Sequence, residues 1–323
     1  MLRRKQTMQK SWESYIDVGI VLPKLFSGIA DDKERFSQGL MTILKDPFFT
    51  VVEVSYTPDP EIVEMTGEYA RLAGAQVVFN GGDAVRRLGM DLSSLEEEKR
   101  KASVESGKQL IDQCYRENAR IMHVVTGKYT TEEEKDAMLE AFERSLMELC
   151  EYAGQAAADH DYTLVVSVET GDRYFDRHYL LGPTNEAVAI VRRVKEKYEN
   201  VGILLDQSHF PVMREDPHKA LWQAKDYLSH VHIGNSYVKD MEKPYFGDKH
   251  LPFGVPGSEV DADELARFLT TLRKIGFFAR PTATRKPLVS FEVGPFNGEP
   301  EELVIANIKR VFIEAWQKID WEE

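Results

Sequence analysis

The feature that most restricts the fold of this chain is an alternation. Short β-branched runs recur along its 323 residues, and long helical patterns separate them. The runs are Ile16–Leu22, Thr50–Tyr56, Ala75–Asn80, Arg120–Thr126, Thr163–Glu169, Val201–Asp206, His230–Gly234 and Leu288–Val293. Strands separated by helices specify parallel βα units, because a parallel neighbour is reached only through a long crossover. Eight units over 323 residues is about 40 residues each, the size of a decorated (β/α)8 barrel in the α/β class. A doubly wound sheet is the structural rival. No linker, low-complexity tract or clear repeat divides the chain. The sequence therefore predicts a loose arm over 1–15 and a single barrel domain over 16–323.

Helix start signals fall between these runs. Ser94-Leu-Glu-Glu97 and Thr131-Glu-Glu-Glu134 have capping-box spacing, in which a hydroxyl and a carboxylate satisfy free N–H groups. Asp216-Pro217 puts a cap before a proline at the first helical position. Asp261-Ala-Asp-Glu264 is a similar acidic cap, and Val260 with Leu265 has the spacing of a hydrophobic staple. Met138, Phe142, Leu146, Leu149 and Ala153 repeat at three- and four-residue steps, one apolar stripe for a barrel wall. Two connections are long, Gly81–Ser93 and Asn235–Val260, and both are expected to be structureless loops on the functional face.

Composition removes several classes of function. Hydrophobic residues at 42% are enough for a sizeable core. The formal net charge of −13 opposes nucleic-acid binding, which needs clustered Lys and Arg. No apolar run approaches the roughly 18 residues of a membrane span, and the basic start lacks an apolar signal segment. A cytoplasmic setting is the default expectation. Cys114 and Cys150 fit neither a disulfide framework nor a zinc motif and read as buried thiols. Gly81-Gly82 lacks the wider dinucleotide pattern.

Side chains on a strand alternate between faces. In the last four runs Val166, Val168, Ile203, Leu205, Val231, Ile233, Val289 and Phe291 lie on one face, suited to packing under helices. The opposite face turns polar toward its C-terminal end, finishing in Glu169, Asp206, His232 and Glu292. A lone carboxylate there is most often a loop residue or a cap, and a lone histidine a satisfied core group. Four in phase on successive strands of a barrel converge on its axis. Three converging negative charges require a counter-charge, and an oxygen-rich set with one imidazole suits Mn²⁺, with Mg²⁺, Co²⁺ or Fe²⁺ open. His230 shares the phase one layer deeper and reads as structural support.

These residues carry a resemblance. The chain resembles the xylose-isomerase-like TIM-barrel sugar isomerases and epimerases, nearest to the ketose 3-epimerase branch. The resemblance rests on an ordered series: Glu169-Thr-Gly-Asp-Arg173-Tyr174, Tyr179-Leu-Leu-Gly-Pro-Thr-Asn185, Leu205-Asp206-Gln-Ser-His209, His230-Val-His232, His250-Leu-Pro-Phe-Gly254 and Ser290-Phe-Glu292. It covers roughly residues 16–318. It implies that Glu169, Asp206, His232 and Glu292 bind one divalent metal, and that His209, Arg173 and His250 contact a carbohydrate substrate. Where the family commonly has an Arg after the strand-seven His, the only nearby cation here is Lys239, which takes that expected role. Phe175 stands where a Glu is usual. The resemblance also implies homo-oligomers.

The implied chemistry is epimerisation of a ketose or related keto sugar through a metal-stabilised enediolate, with Glu169 and Glu292 as the proton-transfer pair. Proton return to the adjacent carbon would instead give aldose–ketose isomerisation, and an inosose-type dehydratase could use the same scaffold. Tyr237, Tyr245, Phe246 and Phe253 form either a lid over the sugar or a small core within their loop. An abasic-site endonuclease would need several zinc ions and many histidines; of the eight histidines, only His209 and His232 are placed for it by sequence.

Overall fold

A computed structural model describes residues 11–321. Its strands are β1 Asp17–Val21, β2 Val51–Val54, β3 Gln76–Asn80, β4 Ala119–Val124, β5 Val165–Glu169, β6 Val201–Asp206, β7 Leu228–Ile233 and β8 Leu288–Phe291. Each pairs in parallel with the next, and β8 closes onto β1. The doubly wound alternative is thereby excluded. A wall helix follows each strand, from Lys33–Leu44 after β1 to Glu301–Gln317 after β8, the shortest being Pro217–Ala224 after β6. Short helices Leu22–Leu25, Gly81–Arg87 and His209–Met213 sit in the connections after β1, β3 and β6.

The alternation read from sequence sorts the side chains as expected. Val166, Val168, Ile203, Leu205, Val231, Ile233, Val289 and Phe291 pack into the main core between strands and helices. The helix Glu132–Ala156 contributes Met138, Phe142, Leu146, Leu149 and Ala153 to its buried face. Inside the barrel, Val51, Val78, Ile121 and Leu288 form a separate apolar plug. Above it the interior turns polar, with Glu53, His123, Ser167, His230, His232 and Ser290 all buried. Branched aliphatic residues normally fill these layers, so the polar column is specific to this barrel.

Several local expectations change. Residues 1–10 of the expected loose arm lie outside the described residues. Its end is anchored: Trp12 meets Phe48 and Phe312 with ring centroids 5.6 Å apart in both pairs. Asp261 and Glu264 make the full capping box, and Asp216 caps the helix that opens at Pro217. Thr131 accepts from the Glu134 amide, but the Glu134 carboxylate takes the Thr130 hydroxyl instead of closing the box. The helix expected from Ser94 begins only at Glu97, because the Ser94 hydroxyl is used in a turn onto the Glu96 amide.

Gly81–Ser93 is not structureless either. Asn80 caps a helix over Gly81–Arg87 through the Asp83 amide. A Cβ on Gly81 would lie 2.0 Å from the His123 carbonyl oxygen, so this glycine lets the helix leave β3 hard against β4.

Glu117, which ends the helix Glu97–Arg116, is 1% exposed. One carboxyl oxygen accepts from Gln113 at 2.8 Å and the other has no partner. Burial pushes its pKa from 4.5 up to about 8, against the pull of Gln113. The folded chain therefore keeps a proton that the unfolded chain releases. The stability involved is intact below the unfolded value and falls as pH rises to about 8, by on the order of a few kcal/mol. Glu117→Gln should remove this slope. Calorimetry is expected to show a higher midpoint for the variant at pH 8, with the two proteins converging toward pH 5.

Candidate active site

The ends of β5 to β8 converge as their phase requires. Glu169 and Asp206 end β5 and β6, His232 lies one residue before the end of β7, and Glu292 follows β8 directly. Each offers a donor atom within 4.8 Å of the other three. Among the ion-pair distances, His232 Nδ1 is 2.9 Å from Glu292 Oε2 and 3.8 Å from Asp206 Oδ2. Asp206 Oδ1 accepts the Ser208 amide at 2.6 Å, whereas Oδ2 is buried with no hydrogen-bond partner. Three carboxylates crowded around an orphaned oxygen fit a divalent cation, which would take Glu169, Asp206, His232 and Glu292 as ligands.

The electrostatics show the same crowding. Burial raises Glu169 to about 8; His209 and His232 oppose the rise, while Glu292 and Asp206 reinforce it. Burial would also raise Asp206 and Glu292, but imidazoles overcome it. His209 and His250 hold Asp206 low, and His250 with His232 holds Glu292 well below the usual carboxylate range. Burial alone would neutralise His209 and His232. Asp248 and Asp206 instead raise His209, and Glu53 and Glu292 raise His232.

The residues singled out for substrate contact divide into two groups. His209 and His250 line the cavity beside Glu169 and Glu292. His209 holds the Thr170 carbonyl through Nδ1 at 2.7 Å and faces Asp248 through Nε2 at 3.3 Å. His250 Nε2 lies 3.4 Å from Asp206 and 3.6 Å from Glu292. Arg173 and Lys239 are elsewhere. The Arg173 guanidinium is turned into the β5 loop, on the Leu180 carbonyl and Glu186. Lys239 is exposed and bonds the Gly257 carbonyl at 2.8 Å. The loop aromatics form the small core: Tyr237 packs on Tyr245, Tyr245 on Phe296 and Phe253 on Phe291.

The cavity wall also holds groups that strand phase did not reveal. Lys24, Arg86 and Arg177 come from the connections after β1, β3 and β5. Asp172 accepts the amides of Phe175, Asp176 and Arg177 and so folds the β5 connection over the mouth. Arg177 then reaches Asp248 at 3.0 Å, and Asp176 pairs with Lys249 at 3.0 Å. The signal for these residues was weak, since a cation in a loop after a strand has many uses. Glu53 and His123 left a clearer one: each is polar at an inward position of an otherwise apolar strand.

The histidine count also needs revision. Five of the eight histidines meet near the axis, because His123, His230 and His250 join His209 and His232. Burial lowers His123 to about 4 and His230 to about 3, so both are neutral. Asp206, His209 and His250 form a second group with donor atoms within 4.8 Å.

The fold agrees with comparisons to known proteins. The profile of the xylose isomerase-like TIM barrel family matches residues 49–306, and the chain belongs to that family. A D-tagatose 3-epimerase-like protein has a similar structure, with TM-score 0.69, 17% identity, and coverage of 94% of this chain and 99% of that one. The 3-keto-D-glucoside 4-epimerase YcjR from E. coli matches with TM-score 0.60, 16% identity, and coverage of 92% and 99%. The IOLI protein, solved with a zinc atom bound, matches with TM-score 0.67, 16% identity, and coverage of 95% and 100%. No curated protein sequence matches the chain.

The raised Glu169 gives a test of the donor set. A carboxyl must lose its proton to ligate a cation, so cation binding should release protons and tighten as pH rises toward 8. Isothermal titration with Mn²⁺ in buffers of different ionisation enthalpy measures this. Asp206→Ala is expected to lower bound metal well below the parent's content by elemental analysis; equal content would remove Asp206 from the ligand set.

Proposed function

We propose that this protein is a divalent-metal-dependent sugar epimerase or isomerase, and that Glu169 and Glu292 move a proton at a carbon beside the sugar carbonyl. The observation that carries this reading is the meeting of both glutamates, which line the mouth cavity, with the buried Asp206 and His232. When bound, the cation, Mn²⁺ by its donor preferences, supplies positive charge against which negative charge develops as the proton leaves. The two glutamates come from strands separated by β6 and β7 and approach the cavity from different sides. One takes the proton from one face of the sugar. If the other returns a proton to the opposite face of the same carbon, the centre is inverted. If the proton returns to the neighbouring carbon, the sugar is isomerised.

The remaining groups position the substrate. His209, fixed between Thr170 and Asp248, presents its ring at the cavity wall as a surface for the sugar to pack against. Tyr179 and His250 narrow the same wall and limit water around the reacting carbon. The similar structures support a sugar carrying a carbonyl, since their names describe a 3-epimerase-like protein and a keto-glucoside 4-epimerase.

One observation favours a second reading. The additional Asp206, His209 and His250 group would suit a two-metal centre, as phosphodiester hydrolysis uses. The net charge of −13 opposes a nucleic-acid substrate. A single bound equivalent of metal, and no cleavage of an abasic-site duplex, would dispose of it.

Ketoses, keto-glycosides, uronates and their phosphates should be incubated with enzyme and Mn²⁺ in D₂O, with products resolved by chromatography and NMR. The expected result is solvent deuterium at the inverted or isomerised carbon. Glu169→Gln and Glu292→Gln should each lower turnover by at least about 10²-fold. Metal content is measured in the same samples, because both residues also belong to the donor set. Turnover without deuterium would replace proton transfer by a hydride shift between carbons.

A further inference from the structure

Beneath the mouth, a carboxylate occupies the barrel interior. Glu53, from β2, is 0% exposed and crosses the barrel to meet His232 on β7, 179 residues away in sequence. Its Oε2 accepts from His232 Nε2 at 3.0 Å. The same imidazole points Nδ1 at Glu292, 2.9 Å away, on the side of the proposed metal ligands. An unpaired buried carboxylate is strongly destabilising, so a glutamate in a layer normally filled by Val, Ile or Leu needs a specific partner. His232 is that partner. A neutral imidazole has one N–H and one lone pair, and a neighbouring carboxylate decides which nitrogen carries the proton.

We infer that Glu53 is a positioning residue for the metal centre: by holding the Nε2 proton of His232 it fixes the ring's rotation and tautomer, so that Nδ1 is the atom offered to the cation. This rests on the metal reading above and goes beyond it by assigning the ligand atom and the group that selects it. A carboxylate on the far nitrogen also makes the ligating nitrogen more basic. Loss of such a partner typically weakens metal binding about 10–100-fold. Among the described residues, His123 and His230 also flank Glu53. Neither bonds to it; among the described residues only His232 is hydrogen-bonded to its carboxylate.

The test uses the full-length protein with Mn²⁺ and with diamagnetic Zn²⁺. Titration calorimetry on Glu53→Gln should give a Mn²⁺ dissociation constant about 10–100-fold above the parent's, with circular dichroism showing that the variant is folded. An unchanged constant in the folded variant overturns the role of Glu53 and leaves the metal reading standing. A wild-type protein that binds no Mn²⁺ overturns both. Nitrogen-15 NMR of the histidine-labelled, Zn²⁺-loaded wild type does not depend on the folding of Glu53→Gln. The ring signal that is lost in His232→Asn should show a protonated Nε2 and a coordinated Nδ1. Coordination through Nε2 would overturn the inference whatever the calorimetry gives.

Discussion

Everything in this molecule is arranged around like charges held too close together. Four successive strand ends bring Glu169, Asp206 and Glu292 to one place, together with the His232 imidazole. In water such a cluster would disperse. Here the strands belong to a closed ring whose hydrogen bonds run through all eight members, so no strand can slide away to relieve the repulsion. The charge must be met where it stands. The protein does so with imidazoles: His209, His232 and His250 are each interleaved between carboxylates. Burial would strip the proton from such groups, but paired acids on both sides keep it on His209 and His232.

How much of this the sequence revealed follows from the range over which each feature is encoded. Period-two alternation is local, so the outward Val231 and Ile233 and the inward His230 and His232 could be separated by inspection. The four site residues followed once closure of the ring was assumed. Glu53 obeys the same rule in Val51-Val-Glu-Val54, yet its partner lies across the barrel, and a strand pattern does not say what stands opposite. The loops were least legible. Arg173 and Arg177 occupy one short segment, and only the Asp172 turn decides that the second faces the cavity while the first is tied to Glu186. Lys239 is close to His232 in sequence but lies on the outside of a loop held by Gly257.

The helix starts teach the same lesson on a smaller scale. Asp261 caps as expected: its carboxylate takes the adjacent Ala262 amide and still completes the box with Glu264. Ser94 does not, because a nearer amide claims its hydroxyl first. A capping pattern states what a residue is able to bond, and the surrounding turn decides which bond is made.

The division of labour between strands and loops bears on how such an enzyme could be altered. The proposed proton-moving and metal-holding groups sit on or directly after strands, whereas Lys24, Arg86 and Arg177 are carried by connections. The cations of the cavity wall and the groups of the proposed chemistry thus sit on separable parts, and the connections could be exchanged without disturbing the ring. The exchange has one restriction. The β5 and β7 connections are joined by Arg177 with Asp248 and by Asp176 with Lys249. An exchange of the β5 loop alone would take Arg177 away from the buried Asp248, and an exchange of the β7 loop alone would leave Arg177 and Asp176 without their partners, so the two loops form one inheritable unit and have to be transplanted together.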